Sequence, residues 1–497
     1  MLDSQPAGIK PGAMQASVGP MAVFPERSSR TTSHWASICT YEGLLATLTL
    51  LIVTLGCALS PMQSDTWWQL RAGKDMWTSH LFLLKDLYSY TAYGAFWPNH
   101  EWLSEVIFYA IYVAGGPAGV TLFSTALIAG GWLIAWQLTK GPAFEKVLWV
   151  ALALLPASFE WEPRPLAFSL LFLMASVFFL AREKYWPLPG LFVLWANCHG
   201  GVLLGFGVLF AGLSIQTVIA PQKWRKAILV LSGCLIATAV TPLGTSFLGE
   251  MAGSISRIHL YPLDEWRRTP IADVRVLPFW IIAIALCTTP YFVRHKLERV
   301  TVGDATLYTC ALSLLPMAVL AIRNMGPFVM VAVPALTSAF QLRRDSLQST
   351  RFERPLLNGA IMGSAALTVV AIVIWAYREE IPRLKWQPIA PAAIAAIERC
   401  PGNLYNRYDE GGYLIWFAPE RKVFVDGRQD PYPSDFVLEH IRIETGKGDY
   451  HDVFARFAIH CAYLPVTSPT ASGLARDGWK ALYRDSSWVV LSEYEID

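Results

Sequence analysis

The chain has 497 residues, of which 54% are hydrophobic and only 16% are charged, whereas a soluble domain carries about 25% charged residues. This composition excludes an ordinary soluble enzyme and predicts a polytopic membrane protein. The formal net charge of +2 gives no argument for a nucleic-acid partner.

The amino-terminal part divides into a polar tail and a first apolar run. Residues 1–41 are rich in Ser, Pro and Gly and are predicted to be a disordered cytoplasmic tail. The run at 42–60 is too long for the apolar region of a signal peptide, so it is predicted to be an uncleaved anchor. Eleven runs are predicted to cross the bilayer as helices: 42–60, 117–138, 146–160, 163–181, 186–198, 202–220, 226–242, 276–293, 304–321, 325–341 and 356–377.

The distribution of basic residues predicts the orientation of these spans, because Lys and Arg favour cytoplasmic loops. We place the amino terminus inside and treat the short apolar segment 102–114 as interfacial or re-entrant. The short inner connections then carry 14 Lys and Arg, and the short outer connections carry only Arg164 and Arg323. The two long outer loops, 61–101 and 243–275, matter less to orientation. This predicts eleven spans and a carboxyl-terminal domain on the outer side.

The polar sequence clusters all fall on the outer side in this topology. We therefore expect a functional site that faces outward at the boundary between lipid and water. The clusters are SDTWW at 64–68, NHEW at 99–102, EWEPRP at 160–165, NCHGG at 197–201, LDEW at 263–266 and RNM at 323–325.

The first outer loop, 61–101, carries two candidate carboxylates. Either Ser64 or Asp65 caps the helix that follows, or Asp65 is a general base that takes a proton from an acceptor hydroxyl. Glu101 follows His100 where the chain turns back towards lipid. An acidic residue is favoured at a helix start by the helix dipole, and Glu101 is alternatively a second active-site carboxylate with a histidine partner.

Three further residues have both a structural and a functional interpretation. Arg164 either pairs with Glu162 or holds a phosphate by bidentate contacts. His199 is either a capped histidine in a turn or a polar group of the site, where neighbouring glycines allow close approach of the backbone. Arg323 either extends to the surface or makes a second phosphate contact.

Residues 378–497 differ in composition from the rest and predict a small α/β domain after a proline-marked linker. Cys400 and Cys461 lie in this part and would form a disulfide if it is exported. The sequence contains no CxxC pair, which would have indicated a zinc site. The clusters around Gly412 and Gly427 are interpreted as turns. Strands are predicted at 412–417, 422–428, 461–466 and within 479–494, with a helical stretch at 434–458.

Taken in order, six motifs resemble those of bacterial integral-membrane glycosyltransferases of the GT-C superfamily, related to the dolichyl-phosphate-mannose mannosyltransferases. The motifs are DxWWxLRxG, HEWLSE, RPxxFS, NxHGG, GGYLIW and VFVDGR. The resemblance implies a multi-pass protein of the bacterial inner membrane, with a GT-C-like catalytic domain over 42–377 and a periplasmic domain over 378–497. It also implies transfer of a hexose, of the mannosyl type, from a polyprenyl-phosphate-linked donor to a glycan, lipid or protein acceptor on the outer face.

The resemblance also implies roles for individual residues. The acidic signature of the first outer loop matches Asp65 and Glu101, which are expected to be catalytic. A DxD-like motif would need an acid at Gln63, so the residues favour a metal-independent transfer over one that uses a divalent metal, and no metal ligand is predicted. Four residues are expected to bind the substrate: His100, Arg164, His199 and Arg323.

Two other classes of function remain open. A transporter or flippase of lipid-linked glycans would need charged residues deep within several spans, and the sequence has few of these and no convincing inverted repeat. A non-catalytic scaffold with an exported binding domain would carry its function in residues 378–497, and Asp65 would then be freely replaceable.

Overall fold

The computed structural model describes residues 38–258, 264–343 and 353–495, so residues 1–37 of the predicted tail lie outside the described part. The first 340 or so residues of the described chain are almost entirely helical. Their helices are α1 (Tyr41–Ala58), α2 (Ser64–Ser79), α3 (Trp102–Leu138), α4 (Ala143–Ala157), α5 (Leu166–Ala181), α6 (Leu188–Cys198), α7 (Val202–Ile219), α8 (Trp224–Ala237), α9 (Phe247–Ile258), α10 (Leu277–Val293), α11 (Val302–Leu320), α12 (Met325–Arg343) and α13 (Pro355–Arg378).

Each predicted span coincides with one of these helices or with most of one. A long apolar run forms a helix in lipid because only the helix satisfies every backbone N–H and C=O within the segment. Among the described residues, six helices are long and apolar enough to cross a membrane, and α5 and α6 are shorter apolar helices. The predicted class of a helical multi-pass membrane protein is therefore confirmed, and its orientation stays a prediction.

Helix α3 is bent sharply at Gly116, whose backbone angles (φ 58°, ψ −156°) are not helical. The ring centroids of Phe108 and Phe123, on either side of the bend, are 6.3 Å apart, whereas fifteen residues of straight helix rise about 22 Å. Both rings also contact Phe168 near the start of α5. The first arm of α3 therefore folds back beside the second. The interpretation of 102–114 as an interfacial or re-entrant segment stays a prediction, and the bend at Gly116 favours it.

The carboxyl-terminal part forms a small α/β domain, as predicted. A disulfide joins Cys400, after the first helix of the domain, to Cys461 in its longest strand. The sheet order is β1-β2-β4-β3, with β1 parallel to β2 and the other pairs antiparallel. The elements are α14 (Pro391–Arg399), β1 (Asn403–Asn406), α15 (Gly411–Phe417), α16 (Ser434–Glu444), α17 (Tyr450–Arg456), β2 (Ile459–Pro465), α18 (Pro469–Arg476), β3 (Lys480–Arg484) and β4 (Trp488–Ser492).

Two of the predicted strands are wrong. The run 412–417 is the helix α15, whose apolar residues pack against α2 and the start of α3. The run 422–428 lies outside the four-stranded sheet, and its Val423 forms an isolated bridge with Ser89 of the first outer loop. Both runs have the apolar pattern of a strand because both are buried. The helix α15 is buried against the membrane domain, whereas Phe424 and Val425 of the second run belong to the core of the carboxyl-terminal domain.

Candidate active site

The structure brings the six residues predicted as site residues into one region. They come from five separate segments of the chain, and each lies at or beside a helix end. Asp65 is in the first turn of α2, His100 and Glu101 precede α3, Arg164 precedes α5, His199 lies between α6 and α7, and Arg323 lies between α11 and α12.

The interpretation of Ser64 or Asp65 as a helix cap is wrong. Helix α2 begins at Ser64, its N-cap residue is Gln63, and no side chain makes a cap hydrogen bond. The hydroxyl of Ser64 instead accepts a hydrogen bond from the backbone N–H of Gly412 in the carboxyl-terminal domain at 3.1 Å. Because capping does not account for Asp65, its carboxylate is available for another role.

Asp65 is held by two neighbours. Its Oδ1 accepts a hydrogen bond from the indole N–H of Trp68 at 3.1 Å, and its Oδ2 lies 3.4 Å from Nη1 of Arg164. The hydroxyl of Thr66 donates to the carbonyl oxygen of Pro163 at 2.8 Å, which anchors the start of α2 beside Arg164. The carboxylate is about a third exposed, at 32%, so a substrate can reach it.

Arg164 lies among four carboxylates. Besides Asp65, its guanidinium is 3.2 Å from Glu162, 3.4 Å from Glu265 and 3.6 Å from Glu160. The side chain is only 15% exposed, so these ion pairs are poorly screened by water. We call Asp65, Glu160, Glu162, Arg164, Glu265 and Arg323 the arginine–carboxylate cluster.

Glu265 bridges the two arginines of this cluster. Its Oε1 is 2.8 Å from Nη1 of Arg323, and its Oε2 is 3.4 Å from Nη1 of Arg164. The guanidinium of Arg323 also lies over the ring of Trp266, 4.7 Å from its centroid. Arg323 therefore stays within the site rather than extending to the surface, and one carboxylate spans two cationic groups.

Burial and the two arginines shift the pKa values of these carboxyl groups in different directions. Burial raises the pKa of Asp65 to about 6, against the opposing attraction of Arg164, and burial raises the pKa of Glu160 to about 8. Burial acts on Glu265 in the same direction, but Arg323 and Arg164 outweigh it and hold the pKa of Glu265 below its ordinary value. Of these three groups, Asp65 has the pKa best suited to a general base near neutral pH.

Glu101 lies between two histidines and a glutamine. Its Oε2 accepts a hydrogen bond from Nε2 of Gln69 at 2.9 Å. Its Oε1 is 3.5 Å from Nε2 of His199 and 3.7 Å from Nε2 of His100. Burial raises the pKa of Glu101, with His100 and the Gln69 hydrogen bond opposing it. We call His100, Glu101 and His199 the histidine–glutamate cluster.

The segments that carry this second cluster are tied together by motif residues. The indole N–H of Trp102 donates to Oδ1 of Asn197 at 2.7 Å, and the hydroxyl of Ser104 donates to the carbonyl oxygen of Cys198 at 2.8 Å. These bonds join the start of α3 to the end of α6. They explain why HEWLSE and NxHGG carry polar residues next to apolar spans.

Gly73 allows α2, which carries Asp65, to cross α3, which follows Glu101. A Cβ atom at Gly73 would lie 2.1 Å from the carbonyl oxygen of Glu105, a distance no real contact reaches. Any other residue at position 73 would push α2 away from α3 and separate the two clusters.

The carboxyl-terminal domain forms a wall of the site. A Cβ atom at Gly427 would lie 2.4 Å from Oδ1 of Asp65, so this backbone lies directly against the carboxylate. The next residue, Arg428, is fully buried and lies 2.6 Å from both Asp86 of the first outer loop and Asp426. The interpretation of this segment as a simple turn missed its contact with the membrane domain.

Sequence reasoning did not select several residues of the site, although each lies in a cluster that it singled out. Glu265 belongs to LDEW, Gln69 to SDTWWQL and Gly427 to VFVDGR. The sequence indicated only that these residues lie on the same predicted side of the membrane. Which of them touch could be known only from the packing of the helices.

Comparisons with known proteins return similar structures and no sequence relatives. No family model and no curated protein matches the chain. The oligosaccharyltransferase of Archaeoglobus fulgidus, solved with a tethered acceptor peptide, is similar with a TM-score of 0.47 and 10% identity, covering 84% of this chain and 69% of that chain. ArnT from Cupriavidus metallidurans, solved in the apo state, has a TM-score of 0.47 and 13% identity, covering 90% and 97%.

At these identities and TM-scores, the similarity assigns no substrate and no residue role to this chain. Any function proposed for this chain therefore rests on the geometry of its site.

Proposed function

We propose that this protein transfers a sugar from a polyprenyl-phosphate-linked donor to an acceptor on the outer face of the membrane, with Asp65 as the general base. The observation that carries the proposal is the partly exposed carboxylate of Asp65 beside Arg164. A base with a pKa near 6 and a cationic group for a phosphate are the two requirements of this reaction.

The proposed reaction is a single displacement that inverts the anomeric carbon. The acceptor oxygen forms a bond to the anomeric carbon while the bond from that carbon to the phosphate oxygen breaks. Asp65 takes the proton of the acceptor hydroxyl, and polyprenyl phosphate leaves with the electron pair. Arg164 and Arg323 stabilise the charge that develops on the leaving phosphate, which requires Glu265 to give up at least one of its contacts with them.

Glu101 is proposed as the second carboxylate, which accepts hydrogen bonds from the donor sugar or the acceptor. His100 and His199 are proposed as polar groups that line the same space. Within residues 38–258, 264–343 and 353–495, no three His, Cys, Asp or Glu side chains are arranged to hold a metal ion. A metal-independent transfer stays a prediction, to be checked by activity with and without a chelator.

The proposal is tested in cells that make the wild-type protein, the Asp65→Asn variant or no protein. Lipid-linked sugars and surface glycans are profiled by mass spectrometry after equal membrane levels of the two proteins are established. We expect Asp65→Asn to match the deletion, because loss of a general base lowers a rate by about 10²–10⁴-fold. The donor lipid then accumulates, and the mass missing from the glycan identifies the sugar.

Asp409→Asn is the matched control, because Asp409 is an acid with a side chain 73% exposed and no role in the proposed reaction. A wild-type glycan profile in Asp65→Asn cells would remove Asp65 from the mechanism and favour the transporter or the scaffold. Unchanged glycans in the deletion strain would contradict the transferase proposal as a whole.

A further inference from the structure

A chain of hydrogen bonds leads from α6 to the imidazole of His199. The indole N–H of Trp195 donates to Oγ of Ser169 at 2.7 Å. The same Oγ lies 2.7 Å from Nδ1 of His199, and the backbone N–H of Gly201 donates to that Nδ1 at 2.9 Å. Trp195 is fully buried and Ser169 nearly so, so water does not substitute for these partners.

These contacts assign the proton positions. The backbone N–H of Gly201 makes Nδ1 of His199 an acceptor, so Oγ of Ser169, which accepts the indole N–H, directs its own proton to that Nδ1. The N–H of Gly201 can only donate. Nδ1 therefore acts as an acceptor for two donors and carries no proton, and a neutral imidazole then carries its proton on Nε2.

The protonated nitrogen of His199 faces the second carboxylate of the site. Its Nε2 is 3.5 Å from Oε1 of Glu101, a separation that a small rotation of either side chain converts into a hydrogen bond. The other oxygen of Glu101 already accepts the amide N–H of Gln69. Donors at both oxygens hold the carboxylate in one orientation.

The second glycine of NxHGG is required by the same arrangement. A Cβ atom at Gly201 would lie 2.3 Å from Oγ of Ser169 and 2.7 Å from Nδ1 of His199. Only glycine lets the backbone N–H come this close to the imidazole. Gly201 is thus required by the hydrogen bond that it makes within the turn between α6 and α7.

The charged groups around His199 favour its neutral form. Burial lowers the pKa of His199 well below its ordinary value, and the cationic Arg323, together with His100 and Arg164, lowers it further. Glu101 is the acidic group that faces it. A histidine that stays neutral keeps a single N–H, and the tautomer determines where that N–H points.

We propose that Ser169 and Trp195 are positioning residues that hold His199 in its Nε2–H tautomer, so that His199 presents an N–H to Glu101. The tautomer follows from the geometry alone, and its consequence for transfer rests on the proposed function. The chain thereby orients Glu101 in the site without touching the substrate.

The tautomer is tested first, by ¹⁵N NMR of the full-length protein labelled at its nine histidines, with the His199 signal assigned by His199→Gln. We expect an unprotonated Nδ1 and a protonated Nε2 in the wild type, and a mixture of tautomers in Ser169→Ala. An Nδ1–H form in the wild type would overturn the proposal, even if Ser169→Ala fails to fold.

The consequence for transfer is tested by the rate as a function of pH. We expect Ser169→Ala to lower the rate at least ten-fold and to change the acidic limb of the profile, and Ser169→Thr, which keeps the hydroxyl, to restore both. Ser176→Ala is the matched control on the same helix, because Ser176 is buried and its hydroxyl has no hydrogen-bond partner among the described residues.

Equal effects of Ser169→Ala and Ser176→Ala on the rate and its pH profile would overturn the positioning role. If the wild-type protein transfers no sugar, the proposed function fails, and the NMR measurement still decides the tautomer. The two proposals can therefore fail separately.

Discussion

At the scale of single residues, Asp65 combines a partly exposed side chain with a pKa raised to about 6, mainly by burial. A carboxyl group with this pKa is mostly ionised above pH 6 and mostly protonated below it. An aspartate in water would instead stay ionised down to about pH 4. The environment thus brings the titration of Asp65 close to physiological pH.

This shift predicts the pH dependence of sugar transfer. Only the ionised carboxylate accepts a proton, so we expect a level rate above about pH 7 and a fall of about ten-fold per pH unit below about pH 6. Initial rates in isolated membranes between about pH 5 and about pH 8 check this, with recovery of activity on return to high pH as the control for unfolding. A rate that stays level down to about pH 5 would contradict the assignment.

Glu265 competes with a phosphate for the two arginines of the site. We expect Glu265→Gln to lower the KM for the lipid-linked donor by about three- to ten-fold, because the amide no longer neutralises Arg164 and Arg323. The measurement is KM and kcat in membranes. The neighbouring Asp264→Asn, at an exposed position, should leave KM unchanged, and an unchanged or raised KM in Glu265→Gln would show that Glu265 does not occupy the phosphate site.

At the scale of elements, glycines determine how closely the segments of the site approach one another. Gly73 lets α2 cross α3, Gly412 lets α15 pack on the start of α2, and Gly427 brings the carboxyl-terminal domain against Asp65. Each lies within a motif of the resemblance. In these positions the absence of a side chain is the required property.

We expect Gly427→Ala to lower transfer at least ten-fold, because its Cβ would be placed 2.4 Å from Oδ1 of Asp65 and would displace the carboxylate. Such an overpacked contact typically costs about 1–3 kcal/mol of stability. Transfer and thermal unfolding are measured together. Gly363→Ala, where the added Cβ meets no atom within 4 Å, is the control, and wild-type transfer in Gly427→Ala would contradict this placement of the loop.

The spans could be predicted from the sequence because an apolar run in lipid has one favourable backbone conformation. The carboxyl-terminal domain could be predicted only in class. A run such as GYLIWF is buried on contact with another segment, and its periodicity cannot distinguish a short helix from a strand. Gly412 contacts Ser64, which is 348 residues earlier in the chain, so a local sequence pattern cannot predict whether this run is a helix or a strand.

The charged residues of the candidate site could be predicted from the sequence, but the contacts between them could not. Asp65, Arg164 and Arg323 are conspicuous because charge beside a membrane span is costly. The bridging position of Glu265 depends on how three inter-helix segments meet. Ser169 has no charge and lies within an apolar span, so its role follows only from the hydrogen bonds that it makes.

At the scale of the whole molecule, the Cys400–Cys461 disulfide reports the side of the membrane on which the carboxyl-terminal domain lies. Disulfides persist in oxidising compartments and are reduced in the cytoplasm. The other six cysteines are free. The oxidation state of this pair in cells therefore tests the predicted outer location.

We expect cells lysed directly into denaturant with a large maleimide to give a chain modified at six cysteines, and at all eight after reduction. Gel mobility measures the number of modifications. Cys461→Ser should show the same modification with and without reductant. Eight modifications without reductant would place the domain in the reducing cytoplasm and contradict the predicted orientation.

The contact between the start of α2 and the carboxyl-terminal domain also has a consequence for biogenesis. The Ser64–Gly412 hydrogen bond joins residues 348 positions apart, and Gly427 reaches Asp65 from still further along the chain. A nascent chain folds from its amino terminus as it is synthesised, so the helices of the membrane domain can be inserted while the site still lacks one wall. We expect the protein to remain inert during its own translation and to become active only when its last hundred or so residues have been exported and have folded.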